Sequence, residues 1–191
     1  MTSLLDAIFA TSIGGLFLIT IFTTLFNLQA SSQDTTFHVT LNNAAEVQYQ
    51  EIDNCLGKVG AGVDSGQILV AEPDSFVFKT KYDLINDIMG SVINTISISL
   101  GDSTSQGIPI KIMQNGVPLP GSNVPLWLRD LNFSYYDIDE NQITTPGDSL
   151  SYIRLLKTDL QFAFETSYVG PGERNIITNL TFWKYFINFY L

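Results

Sequence analysis

The chain has 191 residues, 45% of them apolar and 15% charged, with 14 glycines and seven prolines, a composition that suits one ordered domain and excludes a disordered tail. Nine Lys and Arg against 19 Asp and Glu give a net charge of −10, so phosphate backbones are repelled and nucleic-acid binding by charge neutralisation is excluded. One cysteine, Cys55, closes no intramolecular disulfide, and one histidine, His38, offers no imidazole cluster; zinc-ribbon and CxxC chemistry drop out with them.

The charge is unevenly placed. The first 33 residues hold one charge, Asp6, and the remaining 158 hold 27. From Ala7 to Leu28 there are 22 consecutive residues without a formal charge. As an α-helix this run extends roughly 33 Å, enough to cross a hydrocarbon core of about 30 Å. A secretory signal needs a basic flank, and the first Lys or Arg here is Lys58; no A-x-A-like cleavage site follows the run either. The same lack leaves the positive-inside rule nothing to read on the N-terminal flank, so the orientation expected, N-terminus inside and the rest outside, follows from the bulk of the chain lying C-terminal.

After this run, Phe37, Leu41, Ala44, Ala45, Ile52, Leu56 and Val59 recur at i, i+3/i+4 spacing with one gap near residue 48, and no proline occurs before Gly60. This predicts a single helix of roughly 50 to 55 residues, apolar all round in its first half and amphipathic in its second. Gly57, Gly60 and Gly62 are its expected terminators, since glycine tolerates the left-handed C-cap. The chain thus divides into 1–30, a hydrophobic transmembrane or filament-core helix; 31–62, its amphipathic continuation; and 63–191, a β-rich head.

Beyond Gly62 the period falls to two. Ile68–Val70, Ser75–Thr80, Thr95–Leu100, Ile108–Met113, Leu131–Ile138, Tyr152–Leu156, Leu160–Phe164 and Ile177–Phe186 are rich in β-branched and aromatic residues and are bounded by Gly, Pro, Asp and Asn clusters. Asn115-Gly116, centred in Lys111–Leu119, predicts a tight hairpin. Tyr82–Val92 reads as a short helix or a loop. The last ten residues, FWKYFINFYL, carry six aromatics. As a strand they put Trp183, Tyr185, Ile187, Phe189 and Leu191 on one apolar face and Phe182, Phe186 and Tyr190 on the other, so both faces need cover, one from the long helix and one from a neighbouring subunit. The fold class expected is α+β, a long N-terminal helix on a C-terminal antiparallel sheet.

A non-basic N-terminus with an early lone acid, a span, a helical continuation ending in glycines and then an antiparallel sheet resembles type IV pilins and type II secretion pseudopilins. Ile52-Asp53-Asn54-Cys55-Leu56-Gly57-Lys58-Val59-Gly60-Ala61-Gly62-Val63 is similar to the helix exit of minor pseudopilins of the J class. Leu131–Asp139 and Ile153–Leu160 resemble the paired strands of those proteins. The departures are that no leader is visible, that the early acid is Asp6 where the family has a glutamate, and that the family's proline in the span is absent. Removal of Met1 would move Asp6 one place closer to the N-terminus, as the family's pattern has it.

The resemblance implies a structural subunit of an extracellular pilus-like filament, waiting in the inner membrane and then exchanging lipid contacts for contacts with copies of itself through the assembly machinery. It implies that Asp6 pairs with the α-amino group of a neighbouring copy; the alternative is that Asp6 favours the positive end of its own helix dipole. Gly14-Gly15 reads as a stretch that loosens on assembly, as part of a small-residue face with Ala7, Ala10 and Ser12, or as incidental in a lipid-facing helix. Phe9, Leu16, Trp183, Phe189 and Leu191 complete the candidate assembly residues. Asp137-x-Asp139-x-Asn141 imitates calcium-loop spacing but carries Gln142 where the glycine belongs, so a solvated hairpin end is expected. Asn132-Phe133-Ser134 and Asn179-Leu180-Thr181 match glycosylation sequons.

No G-x-S-x-G, Walker loop or H-E-x-x-H is present, so no catalytic, cofactor-binding or metal site is expected, and the protein is read as not an enzyme. Two alternatives to a filament's main subunit remain, a minor pseudopilin of a secretion machine and a single-pass membrane protein with an extracytoplasmic binding domain.

Overall fold

The structure, a computed structural model, describes residues 2–120, 122, 126–166 and 174–189. Helix α1 spans Thr2–Leu56, and eight strands follow: β1 (Ile68–Ala71), β2 (Ser75–Asp83), β3 (Ile88–Leu100), β4 (Ile110–Gln114), β5 (Val117–Pro118), β6 (Leu128–Tyr136), β7 (Leu155–Thr166) and β8 (Arg174–Tyr185). They form an antiparallel five-stranded sheet in the order β1-β2-β3-β4-β5 and an antiparallel three-stranded sheet in the order β6-β7-β8. This is the α+β architecture that the change of period predicts. The chain divides into two compact units, Met1–Thr40 and Leu41–Leu191, and the boundary falls where the first fully buried side chain of the helix, Leu41, appears.

Within the second unit, Leu41, Ala44, Ala45, Ile52, Cys55 and Leu56 are buried, one helical stripe as the spacing requires. The gap near residue 48 is filled by Gln48, only 2% exposed. Helix and β8 meet through Tyr49 against Phe182, edge to face at 4.9 Å, and through a 2.7 Å ion pair from Lys184 Nζ to Asp53. Two of the three expected terminators carry left-handed backbone, Gly60 and Gly62, both at φ +70°; Gly57 still donates an α-type bond to Asp53 O. A Cβ on Gly60 would sit 2.6 Å from the Phe189 ring, so only glycine fits there.

The core is an aromatic cluster around Phe76, whose ring lies 5.5 Å from Phe78, 5.9 Å from Tyr135, 6.2 Å from Phe133 and, stacked, 5.8 Å from Phe186. These side chains come from strands of both sheets and from the C-terminal turn, so one cluster joins the unit. The buried Tyr135 hydroxyl donates to Glu72 O at 2.7 Å, which satisfies it. The sheets are joined along the backbone too, by Phe133 N–H to Pro73 O and Ile108 N–H to Leu128 O.

Four local expectations need correction. Tyr82–Val92 is neither helix nor loop but the β2–β3 hairpin, with Tyr82 opposite Met89 and Asp83 opposite Ile88. Its helical spacing of Ile85, Ile88, Met89 and Val92 marks no buried face, for all four are exposed. The turn is fixed instead by the Asp83 carboxylate, which accepts from Ile85 N, Asn86 N, Asn86 Nδ2 and Gln114 Nε2. Tyr152–Leu156 and Leu160–Phe164 are not two strands: Tyr152 lies in a short 3-10 turn, and β7 runs unbroken from Leu155, with the polar Lys157 and Asp159 as outward side chains. The Ile108–Met113 strand begins later, at Ile110. The C-terminal strand stops at Tyr185, where Phe186 turns into the core and Ile187–Phe189 forms a 3-10 turn, so Phe189 does not share a strand face with Trp183. The Asn115-Gly116 hairpin is found as expected, with positive φ at both residues, the type I′ signature.

Hydrogen bonds from Asn86 and Gln114 hold the Asp83 carboxyl down at about 2. A carboxyl depressed in the folded state contributes stability above its unfolded value, near 3.9, that is lost as pH falls through about 2. Denaturation of the native chain and Asp83→Ala between pH 5 and pH 2 is therefore expected to show the native chain more stable at pH 5 and the difference shrinking toward pH 2; a pH-independent difference contradicts the assignment.

Candidate functional site

In the unit Met1–Thr40 the helix has no inside. Fourteen large apolar side chains between Leu4 and Leu28 are exposed and point in every direction around the axis. Phe9 is 62% and Leu16 66% exposed, and with Ile13 they follow one helical row. The most apolar 18-residue window has a mean hydropathy of 2.0 with no buried residue, and by length and composition the helix is able to cross a membrane.

The polar groups of this stretch are already satisfied for an apolar surrounding. Thr11, Thr20, Thr23 and Thr24 each donate a hydroxyl hydrogen to the carbonyl four residues back, to Ala7, Leu16, Ile19 and Thr20, at 2.8–2.9 Å. A threonine folded back in this way presents its methyl group and hides its hydroxyl, which removes most of the cost of placing it in hydrocarbon or between helices. Periodicity alone does not reveal this, because a threonine scores as polar wherever its hydroxyl points.

Gly14 and Gly15 have no neighbour within 4 Å of where a Cβ would stand, so no contact inside the chain requires glycine at either place. Asp6 is exposed and lies one residue beyond the first helical turn, which itself holds no acid. The helix dipole acts on charges within that first turn, so it offers Asp6 little. The carboxylate stands at the edge of the 22-residue uncharged run with no ion pair among the described residues.

The C-terminal candidates divide. Trp183 is 48% exposed on the outer face of β8, beside Tyr136 at 4.9 Å between ring centres. Phe189 is half-buried against its own domain, 5.4 Å from Phe186 and 5.3 Å from the Arg154 guanidinium. Leu191 lies outside the described residues. The two sequons fall in strands β6 and β8, with Asn132 half-buried and Asn179 exposed.

Among the described residues no three His, Cys, Asp or Glu side chains come together as metal ligands. Asp137 Oδ1 accepts from the backbone N–H of Asp139 and of Asn141, both at 2.9 Å, and Oδ2 from Asn141 Nδ2. These bonds, the backbone N–H of Asn141 first, hold its carboxyl below the ordinary range and close the end of β6 as an Asx turn. Cys55 is buried, and desolvation pushes its thiol up to about 12, so it is inert as a nucleophile.

No family model matches the chain, and no curated protein or solved structure is significantly similar to it.

A charge at the centre of a spanning helix costs about 2.5–3.5 kcal/mol on insertion scales. Leu16→Arg is expected to shift the protein out of the carbonate-resistant membrane fraction while Leu16→Phe stays in it; equal retention of both contradicts a spanning role for this segment.

Proposed function

We propose that this chain is the structural subunit of an extracellular pilus-like filament. Residues 1–30 hold it in the inner membrane until assembly replaces lipid with the same segment of other copies. The observation that carries this reading is the exposed, all-round apolar surface from Leu4 to Leu28 on the same helix whose C-terminal part is built into a folded domain. Such a surface needs an apolar environment supplied from outside the chain.

Lipid alone accounts for the leucines and phenylalanines but not for the glycine pair or the acid. Gly14 and Gly15 weaken the helix by about 1 kcal/mol each relative to alanine, and their open surroundings give that weakness no intramolecular return. Close approach of a neighbouring helix, or loosening of the helix during assembly, supplies one. Asp6 at the membrane edge is then the charge that a neighbour's α-amino group neutralises on joining. The partners are copies of the same chain and the machinery that extracts it from the membrane; no nucleic acid is involved, since the head is strongly acidic.

An anchored protein with an extracytoplasmic binding domain is the second reading, and the exposed Trp183 on a polar sheet face supports it. The two separate on Asp6→Ala. For a filament subunit, this variant is expected to insert in the membrane normally and to lose filaments from sheared surface material, seen by negative-stain electron microscopy. Native-like filament yield from Asp6→Ala, or no filaments from the unaltered chain, contradicts the proposal.

A further inference from the structure

The outward face of β6-β7-β8 is exposed, and of its residues the assembly reading uses only Trp183. Pairing places its side chains in rows across the three strands: Ser134, Lys157 and Trp183; Asn132, Asp159 and Thr181; and, in the next row, Asp130, Gln161 and Asn179. Rows two residues apart on a strand are about 7 Å from one another, and the three strands together are about 10 Å across. The last two rows line a depression of about 280 Å³.

The geometry points to a binding site for a neutral oligosaccharide, with Trp183 as the stacking platform and the two polar rows as hydroxyl partners. The polar side chains are held by one another before any ligand arrives. Asp159 accepts from Lys157 Nζ at 2.7 Å and from Thr181 Oγ1 at 2.5 Å, and Gln161 Nε2 donates to Asn179 Oδ1 at 3.3 Å. These bonds run sideways along the face. They leave the Gln161 carbonyl oxygen and the Asn179 amide hydrogens without a further partner among the described residues, and the Asn132 amide, whose Nδ2 donates to Ser134 Oγ at 3.5 Å, stands beside Asp159. Closely spaced donors and acceptors on a flat surface match a chain of sugar hydroxyls, and fixing them in advance lowers the ordering cost of binding.

Trp183 is held in the same manner. Tyr136 packs against it, and Lys157 Nζ lies 5.9 Å from its ring centre, yet 48% of the residue remains open. Neighbouring Tyr185 is fixed by its hydroxyl on Glu140. An exposed aromatic ring beside amides and a carboxylate is suited to the weakly polar C–H face of a pyranose, with the hydroxyls reaching the polar rows. An anionic ligand is disfavoured, because Lys157 is paired with Asp159, and Asp130 adds a negative charge. A protein partner is disfavoured because the middle of the face is charged and amide-rich, where protein interfaces are depleted of charge.

The test uses the full chain in detergent micelles and, as probes, cellotetraose, chitotetraose, laminaritetraose and a sulfated tetrasaccharide, read by saturation-transfer NMR and calorimetry. At least one neutral tetrasaccharide is expected to bind and the sulfated one not to. Trp183→Ala is expected to weaken binding about tenfold or more, a loss of about 1.4 kcal/mol. Asn179→Ala is the second variant, expected to weaken binding with the aromatic core untouched, and circular dichroism checks that both fold. The proposal is overturned by no neutral binding at millimolar sugar, by equal binding of the sulfated probe, or by unchanged affinity in a folded variant. Efficient copy-to-copy cross-linking through Thr181→Cys would instead assign the face to subunit contact and overturn it equally. The sugar-binding outcomes do not depend on whether the chain forms filaments.

Discussion

A helix that is apolar on every side has nothing in its own chain to cover it, and this single constraint governs how α1 is to be understood. Fourteen large side chains between Leu4 and Leu28 are exposed. At about 1.5 kcal/mol for each such side chain, leaving them in water instead of an apolar environment forgoes roughly 20 kcal/mol. That exceeds the about 5–15 kcal/mol by which a typical domain is stable. A segment of this kind calls for lipid or other protein around it, and its details suit both: threonine hydroxyls folded back on the helix, one charge at the edge and two glycines with open space around them.

The C-terminal part of the same helix obeys ordinary globular rules. From Leu41 onward one stripe is buried, and the exit of the helix is clamped by the end of the chain. Lys184 pairs with Asp53, Phe186 enters the aromatic cluster around Phe76, and Asn188 Nδ2 donates to Val59 O at 2.9 Å and Gly57 O at 3.3 Å. Carbonyls at a helix exit need donors, and here a side chain from the far end of the sequence supplies them. The turn that carries Asn188 also presses Phe189 against Gly60, which is why that glycine has no room for a side chain. The greasy C-terminus is thus partly explained by the head itself, and among the described residues the remaining exposed aromatics there, Trp183 and Tyr185, form the end of a polar sheet face.

Much of this was legible in the residues. The helix length, its change of character and its glycine exit follow from one charge in 33 residues, the i, i+3/i+4 spacing and the absence of proline. Asn115-Gly116 announced its hairpin because that dipeptide is among the few that suit two consecutive positive φ angles. The failures share a physical cause, namely that side-chain pattern reports burial only where a core lies opposite. Ile85, Ile88, Met89 and Val92 have helical spacing but no core to face, and the turn is decided by Asp83 acting on nearby N–H groups. The unbroken course of β7 through Lys157 and Asp159 depends on outward partners, Trp183 and Thr181, that lie on a different strand. The exposed β6-β7-β8 face was invisible for the same reason, since only the register brings Asn132, Asp159 and Thr181 into one row.

Cross-linking between copies tests the central claim most directly, and the chain is favourable for it because buried Cys55, with its thiol pushed up to about 12, does not compete for a maleimide. Gln29→Cys, exposed just past the uncharged run where water reaches the thiol, is treated with a short bis-maleimide in membranes and in sheared surface material. The account predicts a linked dimer in the sheared fraction, because each segment there meets other copies. Protein found only in the membrane fraction and only as monomer would contradict it, and would leave the helix as an anchor and nothing more.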